Sequence, residues 1–281
     1  MSDFTTLPNG IEAVHAGGLY RALAKLAPDS TKRAALPRFA DHFPLVPRAQ
    51  WRPVSRRDLF TWVLDQGEHG SCTDHAACYA HRKQRVLQGM TDVELSATFG
   101  YAHVNGGRDN GAQIHDLLAV MADKGRCLMS EFGEGQIYLR QIPQQAFATA
   151  RRFKILIGKW YTISTFDEAV SAILLNMIPV YPVMVGRNYN NLDSDNVCGH
   201  DAGPGNHAVH ADGLYVRRNG AFVLDHLGSW GRSWGVQGRG GHDERHFDIE
   251  PDGYAFFCAL DDPEGPHHPP PANESLGEPA A

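Results

Sequence analysis

Apolar residues recur at helical spacing in three stretches of the chain. From Cys72 to Gln88 they fall on Ala76, Ala77, Ala80 and Val86, with Gly89 just past the end. From Gly111 to Lys124 they fall on Ile114, Leu117, Leu118 and Met121, and Gly125 closes the segment. The third stretch, Thr165 to Asn176, opens with an N-cap at Ser164 or Thr165 ahead of Phe166-Asp167-Glu168. A short helix is also predicted over Gly18 to Leu26. Later the pattern turns β-prone: Ile178 to Val185, His207 to Tyr215, Ala221 to Leu227 and Tyr254 to Leu260 read as strands, and Arg218-Asn219-Gly220 is a hairpin signal. Pro179 and Pro182 make the first of these an edge strand or an irregular one. Helices first and strands later predict an α+β chain, as one domain or two lobes.

Residues 1–48, with Pro37, Pro44 and Pro47, read as an N-terminal extension, and 49–261 as the folded domain. Residues 262–281, rich in proline and small or acidic residues, bury too little apolar surface to offset their ordering entropy and read as a flexible tail. A hydrophobic fraction of 42% with 21% charged residues fits a soluble globular protein. The net charge of -6 gives no ground for a nucleic-acid or acidic-lipid partner. No stretch approaches the roughly 20 apolar residues of a membrane span, and Met1-Ser2-Asp3-Phe4 does not open a secretory leader. The five cysteines, Cys72, Cys78, Cys127, Cys198 and Cys258, lack the spacing of a disulfide scaffold or a CxxC pair. They read as free thiols in a reducing, cytoplasmic setting.

Chemistry concentrates first in Asp65-Gln66-Gly67-Glu68-His69-Gly70-Ser71-Cys72, where glycines lead directly into a cysteine that opens a helix. A thiol there faces backbone N–H groups and the positive end of the helix dipole, which favours its thiolate. Gly205-Asn206-His207-Ala208-Val209 puts a histidine at the start of a predicted strand, and Gly228-Ser229-Trp230-Gly231-Arg232-Ser233-Trp234-Gly235 follows the next one.

In this order, Gln-Gly-x-x-Gly-Ser-Cys, Asn-His-Ala-Val and Ser-Trp-Gly-x-x-Trp-Gly resemble the papain family of cysteine peptidases. Leu95-Ser96, Asp109-Asn110-Gly111 and Lys124-Gly125-Arg126-Cys127 resemble the pattern of its bacterial and phage members, so the likeness covers roughly residues 49–260. The resemblance implies a two-lobe α+β fold, an N-terminal helical lobe and a C-terminal antiparallel β-barrel-like lobe, with a cleft between them. It implies a peptidase acting on peptides or proteins through an acyl-enzyme on Cys72, with His207 as general base and Gln66 as an oxyanion-hole donor. Trp230 matches the indole that shields the histidine, and Gly111 the glycine that pairs with an extended substrate. Gly70, Ser71 and Asn206 flank the motifs on the substrate side. No cofactor is implied.

Three positions depart from the family pattern. Gly228 stands where the family has an asparagine that orients the histidine, and Asp225 or His226 could replace it only if the strand were displaced. Thr73 stands where a tryptophan follows the nucleophile. His69 takes the place of a cysteine that forms a disulfide in secreted members. These departures support an alternative: a papain-like module kept as a binding or structural protein, such as a component of a phage particle, docking through its terminal extensions. Asn196-Val197-Cys198-Gly199-His200-Asp201 holds metal-capable side chains, but no second ligand pair stands at zinc spacing. The segment therefore reads as a polar loop bordering the cleft, and no metal is expected.

Overall fold

The computed structural model describes residues 36–155, 160–203 and 205–247, together with the backbone of four short strands outside them. Three of those strands, β1 (Phe4–Thr6), β2 (Glu12–Ala16) and β3 (Leu19–Ala22), form a separate antiparallel sheet in the order β1-β2-β3. The helix predicted over Gly18 to Leu26 is thus a strand where it is described. The register pairs Ala16 with Leu19 and leaves only the diglycine Gly17-Gly18 between them, a strong hairpin signal that outweighs helical periodicity. The predicted tail lies outside the described residues.

The helices come first. A four-residue turn, α1 (Phe39–His42), precedes the long α2 (Cys72–Leu87). There follow α3 (Phe99–Val104), α4 (Ile114–Asp123) and α5 (Gln144–Ala150). The α4 helix starts later than its periodicity predicts because Gly111 sits at φ +86° and Gln113 is an extended N-cap. Gly125, at φ +80°, admits no side chain, since a Cβ there would lie 1.9 Å from the Ala150 carbonyl oxygen.

The second half is one antiparallel sheet of six strands, ordered β4-β9-β5-β6-β7-β8. Its members are β4 (Trp160–Ile163), β5 (Ile178–Val183), β6 (His207–Val216), β7 (Phe222–Leu227), β8 (Arg239–His242) and β9 (Gly253–Phe256). Helix α6 (Phe166–Leu174) covers it, capped by a reciprocal Thr165–Glu168 box and ended near Asn176 at φ +61°. Contrary to expectation, β5 is an interior strand. It pairs with β9 over 178–180 and with β6 over 180–183, so Pro179 and Pro182 each face a ladder on one side and their missing N–H groups cost little.

The α2 helix is buried from Cys72 through Gln84, polar residues included. Its small Ala76, Ala77 and Ala80 let it approach the sheet and share one apolar cluster with Ile178, Val180 and Ala208. Its buried charges are paired: Asp74 with Arg126 at 2.7 Å, Arg82 with Asp92 at 2.8 Å, and Lys83 with Asp212 of β6. Lys83 also lies 2.8 Å from His210 Nε2, and Arg239 closes on Asp212 at 2.9 Å. Burial pushes the Lys83 ammonium down to about 8, and Asp212 opposes that shift. Burial also raises the Asp212 carboxyl, but Lys83 and Arg239 outweigh it and hold the group far below the usual carboxylate range.

Removing one partner strands the other charges in a dry interior. Asp212→Asn is therefore expected to destabilise the protein by roughly 3–5 kcal/mol, read as a lower denaturant midpoint with unchanged slope. A loss below about 1 kcal/mol would mean that the pair does not hold α2 to β6.

Candidate active site

The N-terminus of α2 and the start of β6 meet in the cluster that contains Cys72 and Ala208. Cys72 is the first residue of its helix and His207 the first of its strand, where it registers with Val183 of β5. Both are buried, at 0% and 1% exposure. The His207 ring stacks obliquely on Trp230, with centroids 4.5 Å apart. Burial, and then the neighbouring His75, push His207 down to about 3, so its imidazole is neutral at pH 7. His75, three residues past Cys72, keeps Nδ1 at 3.0 Å from the Ser71 carbonyl. The i, i+3 spacing from Cys72 was the signal that would have found it.

Gln66 is brought in by a short β-bridge. Its N–H donates to the Ser229 carbonyl at 2.8 Å, and Asp65 pairs with Trp230. Its side chain is held at both ends: the Ser229 hydroxyl donates to Oε1 at 2.7 Å, and Nε2 donates to the His69 carbonyl at 2.8 Å. Those partners fix which end of the amide is the donor. Ser229 is thus a positioning residue that motif spacing alone did not single out.

Gly70 and Gly111 lie against one another, and a Cβ on Gly70 would sit 2.9 Å from the Gly111 nitrogen. Asp109 laces this junction. It accepts from the Gly70 N–H at 2.8 Å and the Tyr101 hydroxyl at 2.7 Å, and its Oδ2 stands 3.0 Å from His69 Nδ1. The Gly111 N–H donates to the Tyr101 hydroxyl at 3.0 Å, so it is already committed within the chain. Ser71 occupies the N-cap position of α2 without a side-chain cap bond. Asn206 spends its side chain on Val185, accepting from its N–H at 2.8 Å and donating to its carbonyl at 3.0 Å, which closes the end of the β5–β6 ladder.

Among the described residues, no side chain is seen to hydrogen-bond His207 in place of the orienter. His207 Nδ1 is buried without a hydrogen-bond partner. Asp225 pairs with Arg57 at 2.7 Å and with Arg239 at 3.4 Å, and His226 Nδ1 bonds the Gly240 carbonyl at 3.0 Å. A Cβ at Gly228 would meet the Trp234 ring at 3.0 Å, so a side chain there would oblige that ring to shift.

Cys198 also has histidine neighbours, and its ligand atom lies within 4.8 Å of those of His226 and His242. The ligand pair absent from the linear spacing is supplied by β7 and β8. Burial raises the Cys198 thiol far above its ordinary range, so this cysteine is poorly suited to be a nucleophile. No disulfide joins the described cysteines.

No protein-family model and no curated protein sequence matches the chain. Solved structures do. Xylellain, a cysteine protease from Xylella fastidiosa, aligns with a TM-score of 0.59 at 20% identity over 83% of this chain and 91% of its own. Digestive procathepsin L 3 of Tenebrio molitor larval midgut gives 0.63 at 16% identity over 80% and 74%. The bromelain protease from Ananas comosus in complex with the E64 inhibitor gives 0.58 at 19% identity over 74% and 98%. At these identities the likeness shows the fold: the chain has the α+β fold of papain-like cysteine proteases.

The Asp109 junction has a signature in pH. Burial pushes the Asp109 carboxyl up, but hydrogen bonds from His69, Tyr101 and Gly70 outweigh it and hold the group below its ordinary pKa. A depressed carboxylate contributes stability that is present above the unfolded pKa, about 3.9, and lost as pH falls through the folded value. Asp109→Asn should therefore cost roughly 1.5–3 kcal/mol at neutral pH, and the gap from wild type should close only below pH about 4. Thermal melts of both proteins from neutral to acid pH measure it.

Proposed function

We propose that the protein is a cysteine-type peptidase that hydrolyses peptide bonds through an acyl-enzyme on Cys72. The observations that carry this reading are that Cys72, at a helix N-terminus, shares a buried cluster with Ala208 of β6, that the adjacent His207 is buried, neutral and within electrostatic reach of His75 on α2, and that the Gln66 side chain is held at both ends. The neutral imidazole accepts the thiol proton as sulfur attacks the substrate carbonyl carbon. The oxyanion that forms takes hydrogen bonds from the Cys72 N–H and the Gln66 amide. Collapse of that intermediate breaks the C–N bond, and the imidazolium returns its proton to the leaving amine. Water, deprotonated by the same imidazole, then cleaves the thioester and regenerates the thiol.

The resemblance to xylellain, procathepsin L 3 and bromelain supports peptides as the substrate class. Orientation of His207 then rests on Trp230 rather than on a hydrogen bond, which favours a slower enzyme than relatives that keep the asparagine. In the second reading, favoured by the partnerless Nδ1 of His207, the fold is kept for binding and turns nothing over.

Iodoacetamide labelling read by mass spectrometry separates the two. Cys78 and Cys127 are internal controls, because burial pushes their thiols up to about 11 and about 12. Cys72 is expected to label first at neutral pH and to lose that advantage in His207→Ala. Hydrolysis of a fluorogenic peptide library should fall by at least about 10³-fold in Cys72→Ala. Its acid limb in kcat/KM should lie well below the ordinary imidazole pKa of about 6.5. Equal labelling of all three cysteines, with no hydrolysis in the wild type, would leave the binding module as the function.

A further inference from the structure

Behind the aromatic wall that carries His207 lies a second constellation, which the peptide chemistry does not use. Cys198 is held by its N–H to the Gly241 carbonyl at 2.9 Å, beside the bridge that joins Val197 to Gly241. His226 of β7 registers with Gly240, and His242 two residues on is its diagonal neighbour in β8. Their rings stack with centroids 4.1 Å apart and planes 15° apart. All three side chains are buried.

The donor atoms converge. The Tyr189 hydroxyl lies 2.9 Å from His242 Nε2 and 3.5 Å from His226 Nε2, and it also hydrogen-bonds Cys198. The far side of each ring is fixed separately. His226 Nδ1 faces the Gly240 carbonyl, which can only accept, so Nδ1 carries the proton and Nε2 presents its lone pair inward. His242 Nδ1 lies 2.9 Å from the Tyr181 hydroxyl. Imidazoles anchored this way through their outer nitrogen are the arrangement that orients metal-ligating histidines. The glycines of β8 make the room, since a Cβ on Gly240 would come within 2.9 Å of Cys198 Sγ and 3.0 Å of His226 Cε1.

We propose that Cys198, His226 and His242, with the Tyr189 oxygen as fourth donor, bind one divalent transition-metal ion of the zinc type. One thiolate and two neutral imidazoles are a donor set for such an ion, and four donors suit its tetrahedral preference. The ion replaces the shared hydroxyl hydrogen bonds with coordinate bonds, the thiol proton leaves to solvent as the thiolate forms, and the Tyr189 oxygen donates a lone pair while keeping its proton. The site would staple the Cys198 loop to β7 and β8. Tyr189 packs on Trp230 at 5.8 Å and Trp234 packs on His226 at 5.1 Å, so the staple stiffens the wall against which His207 rests.

The test uses the full-length chain purified without chelator or affinity histidines, incubated with zinc or cobalt and passed over a desalting column. About one equivalent of zinc should be retained, and the thermal midpoint should rise. X-ray absorption of the zinc-loaded wild type should show one sulfur scatterer near 2.3 Å with nitrogen or oxygen donors, and cobalt should give thiolate-to-metal charge transfer. Cys198→Ser and His242→Gln should each weaken retention by at least about tenfold. The absorption measurement needs no variant, so a misfolded substitution does not leave the question open. Retention below a tenth of an equivalent would overturn the proposal. So would a bound ion with no sulfur neighbour, which would point instead to other histidines of the chain, such as the paired His267-His268.

Discussion

The relative placement of Cys72 and His207 depends on the register between α2 and β6, which the buried contact of Lys83 with Asp212 fixes. Lys83 is eleven residues beyond Cys72, roughly 16 Å along a helix. Asp212 is five beyond His207, roughly 17 Å along a strand. The intermediate contacts run in step: Ala76, Ala77 and Ala80 share a cluster with Ala208, and the Tyr79 ring stacks on His210 at 4.5 Å. Helix and strand therefore start at the same level and run the same way to the ion pair. A slip of one strand residue would turn His207 to the other face of the sheet and put an alanine in its place. A buried charge pair is a poor source of net stability but a strict specifier of register, because any other alignment leaves charges unpaired in a dry interior.

The imidazole itself is positioned differently from what a hydrogen-bonded triad would do. Trp230 lies under the ring, Tyr189 meets Trp230 edge to face with centroids 5.8 Å apart, and Trp234 stacks beside Tyr189 at 6.1 Å. Such packing sets the plane of a ring through many weak contacts. It does not choose between the two neutral tautomers, which is what an acceptor on the second nitrogen would do. Gly228 also eases this packing, because a Cβ there would approach the Trp234 ring to 3.0 Å and oblige it to shift.

The sequence made the helix–strand order legible, because α2, α4 and α6 carry clear apolar periodicity and β5, β6 and β7 carry β-prone runs. It also singled out Cys72, His207 and Gln66 through motifs, and these are the residues the proposed mechanism uses. What stayed hidden lacks a local signal. β8 reads Arg239-Gly240-Gly241-His242, with two glycines where alternation would be sought, and it delivers His242. The interior position of β5 was masked by Pro179 and Pro182, because a proline argues against pairing on both sides and says nothing of a strand whose two ladders are offset. Partners such as Ser229 for Gln66 and Asp212 for Lys83 lie 163 and 129 residues away. Distances of that kind are properties of the topology and not of any sequence window.

The departures from the family pattern share one physical logic, the exchange of one kind of constraint for another. Where the family pattern expected from the sequence has a disulfide-forming cysteine, His69 meets Asp109, and the same carboxylate also takes the Gly70 N–H and the Tyr101 hydroxyl. A disulfide acts mainly on the unfolded chain and fails on reduction. This junction acts in the folded state alone, is indifferent to redox poise, and fails on protonation. It is also more local, because three hydrogen bonds converge on one side chain and hold the Gly70–Gly111 approach from both sides. Position 228 follows the same rule, with packing in place of a hydrogen bond. The surroundings of Cys72 and His207 are thus set by burial and charge on α2, β6 and the Asp109 loop, so their geometry is only as firm as the core beneath them.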